Sequence, residues 1–474
     1  MEKKFKFPEP FVVMIIIVLA ISLLSYVIPS SSYEYKDVTY TVDDEGNTKT
    51  RSVVDADTWA LAEENQVVTP MMFFTSFLRG MEEVSDIIFF VFIAIGSFSV
   101  VTESQAVTAG VGRLIVKMGN KKIILIPVLG FIFAFLGATA GLDEEFIAFI
   151  PILCPLVIAA GYDSLICIAC IMGCTAAGWA GALTNPFTIG VAQGIVGLPL
   201  FSGLGFHIVV FVTMTTLTVV LIMLYARRIE KNPQSSIMYN EDRQYLAEHN
   251  VDFSNLPEFT TQRKIILAVV ALTIGVMVWG LLNQGWYFEE MSAAFFVMGF
   301  VCTFIYGKDL NWWCTTFVDG AKTVIVGALI VGFARAIIVV MNDAQIIHTI
   351  LHAAASVISA LPRSVAVIGQ YIFQCLLNYI IPSGSGQATA TMPIMGPLAD
   401  LTGLTQQVAV QCEIIGDALS NPFTPTSGTI HAALALAGIP YIKWVKHWWK
   451  VLMIQYGLGL ILVLIANALA LGPF

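Results

Sequence analysis

The sequence predicts an all-α, polytopic membrane protein built from two inverted repeats, and three observations lead there. Of its 474 residues 57% are hydrophobic and only 12% are charged, whereas soluble domains carry about 25% charged residues. Apolar runs of about 20 residues, the helical length that crosses a ~30 Å hydrocarbon core, recur along the chain. A set of short motifs also occurs twice, in the same order in each half.

Charge and cysteine usage narrow the function classes. With 24 Lys plus Arg against 33 Asp plus Glu, the formal net charge is −9. This offers no basic footprint for nucleic acid. The eight cysteines lie mostly in apolar stretches and show neither a disulfide framework nor a zinc spacing. Cys170 and Cys174, one helical turn apart, read as packing residues. No HExxH, phosphate-binding Gly-Lys loop or haem spacing occurs, so neither an enzyme nor a cofactor or metal is expected.

The uninterrupted runs are 11–29, 84–103, 206–226, 264–283, 289–306, 322–341 and 450–470. The first lacks a small-residue cleavage site and is long enough to span, so it reads as a helix rather than a signal peptide. Lys and Arg in short loops mark the cytoplasmic side. Lys3, Lys4 and Lys6 put the N-terminus inside, and the acidic loop 30–68 reads as external. Arg113, Lys117, Lys121 and Lys122 return the chain to the cytoplasm, as do Arg227, Arg228 and Lys231, then Lys308, then Lys443, Lys446 and Lys450. Crossings between these marks agree only if 121–160 enters and leaves from inside and 364–402 from outside. The count is then about nine spans and two re-entrant hairpins, with the C-terminus external.

The repeated motifs are Phe77-Leu-Arg-Gly80 with Phe317-Val-Asp-Gly320, and Pro151-Ile-Leu-Cys-Pro155 with Pro393-Ile-Met-Gly-Pro397. Gly161 with Gly403, Asn185-Pro-Phe-Thr188 with Asn421-Pro-Phe-Thr424, and Gly197-Leu-Pro199 with Gly438-Ile-Pro440 complete the series. The first repeat covers 1–226, with its hairpin at about 121–160 and a broken helix at about 163–204. A cytoplasmic linker, 227–263, and a connecting span, 264–283, follow. The second repeat covers 284–474, with a hairpin at about 364–402 and a broken helix at about 404–436. Inverted repeats with paired interrupted segments point to a secondary transporter whose site lies at the repeat interface near mid-membrane.

The interruptions supply the candidate site. Irregular backbone at membrane depth is tolerated only against protein or a wet cavity. Asn is a favoured N-cap and Pro a favoured first helical residue, so Asn185-Pro186 and Asn421-Pro422 each read as the start of a second half-helix. Such a start can hold a carboxylate. The hairpin tips, Gly137-Ala-Thr-Ala-Gly141-Leu-Asp143-Glu144-Glu145 and Pro382-Ser-Gly-Ser-Gly386-Gln387-Ala-Thr389, add turns, hydroxyls and, in the first copy only, three carboxylates. The candidate substrate-binding residues are Thr139, Glu144, Glu145, Asn185, Thr188, Ser383, Ser385, Gln387, Asp417, Asn421 and Thr424. Asp417 reads as a cation or proton site, and Glu413, one turn earlier, as a residue near a helix end or paired within the protein. Arg335 reads as a structural partner of an acid, and His431 as a packing residue. Helix starts for an anion beside carboxylates for a cation suit a basic amino acid better than a dicarboxylate. A proton- or sodium-coupled dicarboxylate carrier is the alternative.

Several stretches resemble a known family. Asn185-Pro-Phe-Thr-Ile-Gly-Val-Ala-Gln-Gly194, Gly197-Leu-Pro-Leu-Phe-Ser-Gly203, Ile381-Pro-Ser-Gly-Ser-Gly-Gln387 and Asn421-Pro-Phe-Thr-Pro-Thr-Ser-Gly428 look like the YfcC family. That family is grouped with ArcD-type basic amino-acid antiporters and, more distantly, with the anaerobic dicarboxylate carriers of the ion transporter superfamily. The resemblance implies a homodimer in the bacterial inner membrane, each protomer having a scaffold and a moving part that works as an elevator. The moving part would be 121–226 with 364–470. The family leaves the cargo open, since members named for dicarboxylates share the domain; the acidic first tip favours a small molecule of the arginine or ornithine type.

Overall fold

A computed structural model describes residues 10–41, 48–106, 109–110, 113, 119–185, 187–248, 257–284, 286 and 288–472. Lys3, Lys4, Lys6, Asp43, Asp44, Glu45, Lys117 and Pro186 lie outside the described residues. Five described helical stretches are long and apolar enough to cross a membrane: Lys121–Thr139, Ser164–Gly181, Leu204–Lys231, Phe288–Ile305 and Tyr441–Ala468.

The N-terminal helix α1 (Pro10–Leu24) is followed by four short strands, β1 (Ser31–Ser32), β2 (Tyr35–Thr41), β3 (Thr48–Val54) and β4 (Ala60–Leu61). β1 pairs with β4 and β2 with β3, both antiparallel. The sequence reading has no strands in this acidic loop, yet β2 and β3 are rich in Thr, Val and Tyr, residues that suit a pleated strand.

Next come α2 (Pro70–Glu83) and α3 (Ser85–Glu103), joined at Val84. Their ranges recur 240 residues later as α13 (Leu310–Thr323) and α14 (Ile325–Asp343), joined at Val324. The two pairs are interlocked, α2 packing on α14 and α13 on α3. Close approach explains the repeated Phe-x-x-Gly motif. A Cβ on Gly80 would lie 2.7 Å from Ala336 N, and one on Gly320 would lie 2.0 Å from Ser99 Oγ. Arg79 pairs with Asp343 at 2.5 Å, and Arg335 Nε with Glu83 Oε2 at 2.6 Å. Arg335 therefore holds α14 to α2, as a structural partner of an acid.

The rest of the first half is α4 (Leu125–Ala140), a 3-10 turn (Glu144–Phe149), α5 (Ile150–Ala159), α6 (Ser164–Ile168), a π turn (Ala169–Gly173), α7 (Cys174–Gly181), α8 (Ile189–Ile195) and α9 (Leu204–Lys231). The linker carries α10 (Tyr239–Glu248), followed by α11 (Thr261–Gln284) and α12 (Phe288–Ile305). The second half continues after α14 with α15 (Ile347–Ser359), α16 (Arg363–Leu377), α17 (Gly384–Leu401), α18 (Gln406–Ser420), α19 (Gly428–Leu436) and α20 (Tyr441–Ala468). Hairpin, broken helix and long helix thus follow in the same order twice. Gly161 (φ 95°) and Gly403 (φ 75°) both close the returning arm of a hairpin in the left-handed region, where a side chain is strained.

Two groups of helices separate by contact. α1 to α3 and α11 to α14 pack on one another, and α4, α6 to α9, α16 to α18 and α20 form the other network. α14 meets the second group chiefly through α19. The broken helices start at opposite ends of that group. Ser164, which opens α6, bonds Asp242 of the linker. Thr405, which caps α18, bonds the carbonyl of Leu471 near the C-terminus. All eight cysteines are free, and Cys170 and Cys174 are both buried.

Candidate functional site

The first break, 182–188 between α7 and α8, faces the tip of the first hairpin. Asn185 joins the two: its Nδ2 donates to Gly137 O (3.2 Å), and its Oδ1 accepts from Phe187 N (2.9 Å) and Thr188 N (3.3 Å). The neighbouring carbonyls of Gly181 and Leu142 accept from His207 Nδ1 and Trp179 Nε1, each at 3.1 Å. Thr184 Oγ1 reaches Thr139 O at 3.1 Å. Protein side chains therefore take up several of the backbone groups at the break and the tip, as irregular backbone away from water requires.

The second break, 421–427 between α18 and α19, is dressed in the same manner by other residues. Trp444 Nε1 donates to Pro422 O (2.5 Å), Tyr441 OH to Phe423 O (2.7 Å) and His431 Nε2 to Pro425 O (3.0 Å). His431 thus has a structural partner, as its sequence context suggests. Thr426 Oγ1 ties the break to Tyr379 O at 2.8 Å, and Thr424 Oγ1 lies 3.0 Å from that hydroxyl.

The helix starts differ from the expected ones. Neither Asn opens its half-helix: α8 begins at Ile189 after Thr188, and α19 begins at Gly428 with Ser427 Oγ accepting from Ile430 N. Asn421 instead closes α18, and its Oδ1 has no partner among the described residues. The next helix starts four positions after Asn185 but seven after Asn421, and Pro425 accounts for the delay, because the residue before a proline is disfavoured from helical geometry.

Three predicted site residues have partners within their own half, and Gln387 keeps an oxygen with no partner among the described residues. Ser383 caps α17 by accepting from Gly386 N. Gln387 Nε2 donates to Gln374 Oε1 (2.8 Å). The hydroxyl of Thr139 donates back to Phe135 O (2.7 Å). Ser385 lies in the first turn of α17, and its carbonyl accepts from Thr389.

Where the structure does bring elements together is Gly384. A Cβ there would lie 2.7 Å from Thr188 Cγ2, 3.0 Å from the Trp179 ring and 3.1 Å from Asp417 Oδ2. Thr188 comes from the first break, Gly384 from the second tip and Asp417 from α18, so both halves of the chain meet within one side chain's width. Thr188 Oγ1 and Asp417 Oδ2 are buried without a hydrogen-bond partner among the described residues. Asp417 Oδ1 accepts from Asn378 Nδ2 at 2.6 Å, and Asn378 Oδ1 accepts from Ser420 Oγ at 2.7 Å. Unpaired buried oxygens cost free energy, and a polar ligand would satisfy them.

The acidic first tip approaches this point: Trp179, whose ring borders Gly384, donates to Leu142 O, next to Asp143. Asp143 lies within electrostatic reach of Glu144, Glu145 and Asp417. Thr429 Oγ1 donates to Glu144 Oε1 at 3.4 Å, linking the first tip to α19. Glu145 turns inward on its own tip, its Oε2 accepting from Asp143 N at 3.0 Å. Sequence reasoning missed Asn378, Thr429 and Trp179. Asn378 stands at the end of an apolar helix, a polar residue at membrane depth that could have been noticed; Thr429 and Trp179 carry no comparable signal.

Broken helices, helical hairpins and a polar point between them are the parts of a membrane transport protein. The family model for the C4-dicarboxylate anaerobic carrier, DcuC, matches residues 7–468, and the chain belongs to that family. It is 33% identical to the YfcC protein of Escherichia coli strain K12, provisionally named a basic amino acid antiporter, over 94% of this chain and 93% of that one. It is 28% identical to an uncharacterized protein of Haemophilus influenzae, over 94% of each. Among solved structures it is similar to the YdaH transporter of Alcanivorax borkumensis, at 17% identity and a TM-score of 0.40 over 98% of this chain and 100% of that one. It is also similar to MtrF of Neisseria gonorrhoeae, described with a class of antimetabolite efflux pumps, at 16% identity and a TM-score of 0.39 over 99% and 96%.

Proposed function

We propose that this transporter exchanges basic amino acids of the arginine or ornithine type across the bacterial inner membrane. The observation that carries the proposal is the acidic environment of the breaks. Asp143, Glu144 and Glu145 follow one another on the first tip, and Glu144 reaches Thr429 of α19. Asp417 stands at Gly384 beside Trp179, which bonds Leu142 of that tip, and neither tip sequence contains Lys or Arg. A dicarboxylate brought to that point would meet like charge, whereas a cationic side chain would replace water with carboxylates. The α-carboxylate of the same substrate would lie against the start of α19, where N–H groups are free of intrahelical partners. The name of the YfcC relative agrees with this reading.

The two halves act as inverted repeats in this proposal. The matching ranges of α2 with α13 and α3 with α14, and the opposite starts of the two broken helices, support it. The group containing α4 to α9 and α16 to α20 serves as the moving part of an elevator. The group containing α1 to α3 and α11 to α14 serves as scaffold and as the homodimer contact. The N-terminus lies in the cytoplasm and the C-terminus outside.

A second reading, a proton- or sodium-coupled dicarboxylate carrier, is favoured by the description of the family model. One assay separates the two. Proteoliposomes preloaded with ornithine should accumulate labelled arginine or lysine; accumulation of labelled succinate or citrate instead would decide for the dicarboxylate carrier.

A further inference from the structure

We propose that Glu413, with Asp417 one turn further along α18, is the proton-binding site of this transporter, taking up and releasing one proton per transport cycle. The proposal deepens the transport reading and rests on it only for the coupling.

Both side chains are completely buried. Neither takes part in any ion pair among the described residues. Both Glu413 oxygens lack a hydrogen-bond partner there, as does Asp417 Oδ2. An unpaired carboxylate in such a place is so costly that the group neutralises instead, which for an acid means holding a proton.

The register of α16 and α18 places Glu413. Cys412 Sγ approaches Val367 O at 3.8 Å, a Cβ on Gly416 would lie 2.7 Å from Gln374 Cβ, and Asp417 bonds Asn378. The two helices thus run parallel, and Glu413 falls on the stripe of α18 that carries Asp417 and Ser420. On α16 the facing stripe is Gln370, Gln374 and Asn378, spaced by four. Gln370 is 1% exposed, and neither end of its amide has a partner among the described residues. A protonated carboxyl, one donor and one acceptor, matches what that amide lacks.

The helices packed on α18 bring no cation to the pair. From α16 come Tyr371 and Cys375, and Arg363 is spent on Asn467. From α20 come Tyr456 and Lys443, the latter bound to Glu241. His447 lies against Tyr225, while Lys446 and Lys450 are exposed. α7 offers only Cys174, α17 only Asp400, which is exposed and bonds Gln406, and α8 nothing that titrates. No group of three His, Cys, Asp or Glu that could hold a metal ion occurs among the described residues. Glu413, with both oxygens unpaired, therefore carries the proton, while Asp417, bonded to Asn378, reaches the Gly384 point.

The first test needs no substrate. Infrared difference spectra of the purified, reconstituted protein between acid and alkaline pH should show the stretch of a buried protonated carboxyl. Glu413→Gln should remove a component of that band that Asp242→Asn leaves in place, and Glu413→Asp should shift it. In ornithine-loaded vesicles containing a pH dye, Glu413→Gln should keep arginine self-exchange while losing uptake driven by a pH gradient. An unchanged band in Glu413→Gln overturns the proposal, as does a band that disappears on adding sodium in place of choline. Failure of arginine uptake in the wild type would instead strike the substrate reading and leave the infrared result standing.

Discussion

Asn185 donates to the carbonyl of Gly137 at 3.2 Å while its own carboxamide oxygen accepts from two backbone N–H groups of the first break. One side chain thus fastens a hairpin tip to a broken helix. Asn421, its counterpart in the motif, has an oxygen with no partner among the described residues. The two asparagines should therefore respond differently to truncation. Leaving buried partners unpaired costs about 1–3 kcal/mol, so Asn185→Ala should lower the unfolding midpoint in detergent by several degrees. Asn421→Ala should leave that midpoint nearly unchanged and should weaken substrate binding instead, read by scintillation proximity. Equal thermal losses in both variants would contradict the asymmetry.

Gly384 is where Thr188, Trp179 and Asp417 converge. Gly384→Ala puts a methyl group at that point, in contact with two stiff side chains and a carboxylate. Substrate affinity should fall by at least about tenfold, equivalent to about 1.4 kcal/mol, while the protein still elutes as a single folded species. Binding at wild-type affinity would mean that the cargo does not pass there.

Glu144 and Glu145 are adjacent but not equivalent. Glu144 is linked to Thr429 across the break, whereas Glu145 caps the backbone of its own tip. A Gln at 145 still offers an oxygen for Asp143 N, so Glu145→Gln should retain much of the exchange activity. Glu144→Gln should abolish exchange of cationic amino acids, and Thr429→Ala should raise KM with a smaller change in maximal rate. The comparison is made by counterflow in proteoliposomes at saturating and limiting substrate.

The sequence made the order of elements legible because membrane physics punishes every exception. Breaks at 182–188 and 421–427 and tips at 141–143 and 378–383 fall where Gly, Pro and Asn interrupt apolar runs. The helix starts were not legible to the residue, since Asn-Pro signals a cap locally while the tertiary bond of Asn185 to Gly137 and the second proline at 425 decide the outcome. The amphipathic helices α2 and α13 were also missed: they are less apolar than a span, and their partners lie in the other half of the chain. Glu413 was expected to pair or to sit near an end; it sits mid-helix, because α18 is buried on every side and gives it no cation.

In the linker after α9 Asp242 accepts from Ser164 N (3.0 Å) and Ser164 Oγ (2.6 Å), clasping α10 to the start of the first broken helix. Burial pushes the Asp242 carboxyl from the usual 3.8 up to about 7, against the pull of the two Ser164 bonds. The folded protein therefore holds a proton there that the unfolded chain has released. Stability from this group is fully present below the usual value and falls as the pH rises towards about 7. The unfolding midpoint should decline over that window, and Asp242→Asn should flatten the decline. A slope identical to the wild type would rule out Asp242 as its source.

Gly428 opens α19 where that helix crosses α14 of the other helix group. A Cβ at this position would lie 2.6 Å from Val331 Cγ1. Valine is stiff at χ1, so the methyl cannot be accommodated by a rotamer change alone, and one helix must move away from the other. If the two groups slide past each other during transport, this crossing is part of the sliding surface. Gly428→Ala should then slow turnover severalfold at near-normal substrate affinity, and Val331→Ala in the same chain should restore the rate by making room. A rate unaffected by Gly428→Ala would mean that the crossing stays fixed, while a loss that Val331→Ala does not repair would mean that the methyl acts on the second break rather than on the α14 contact.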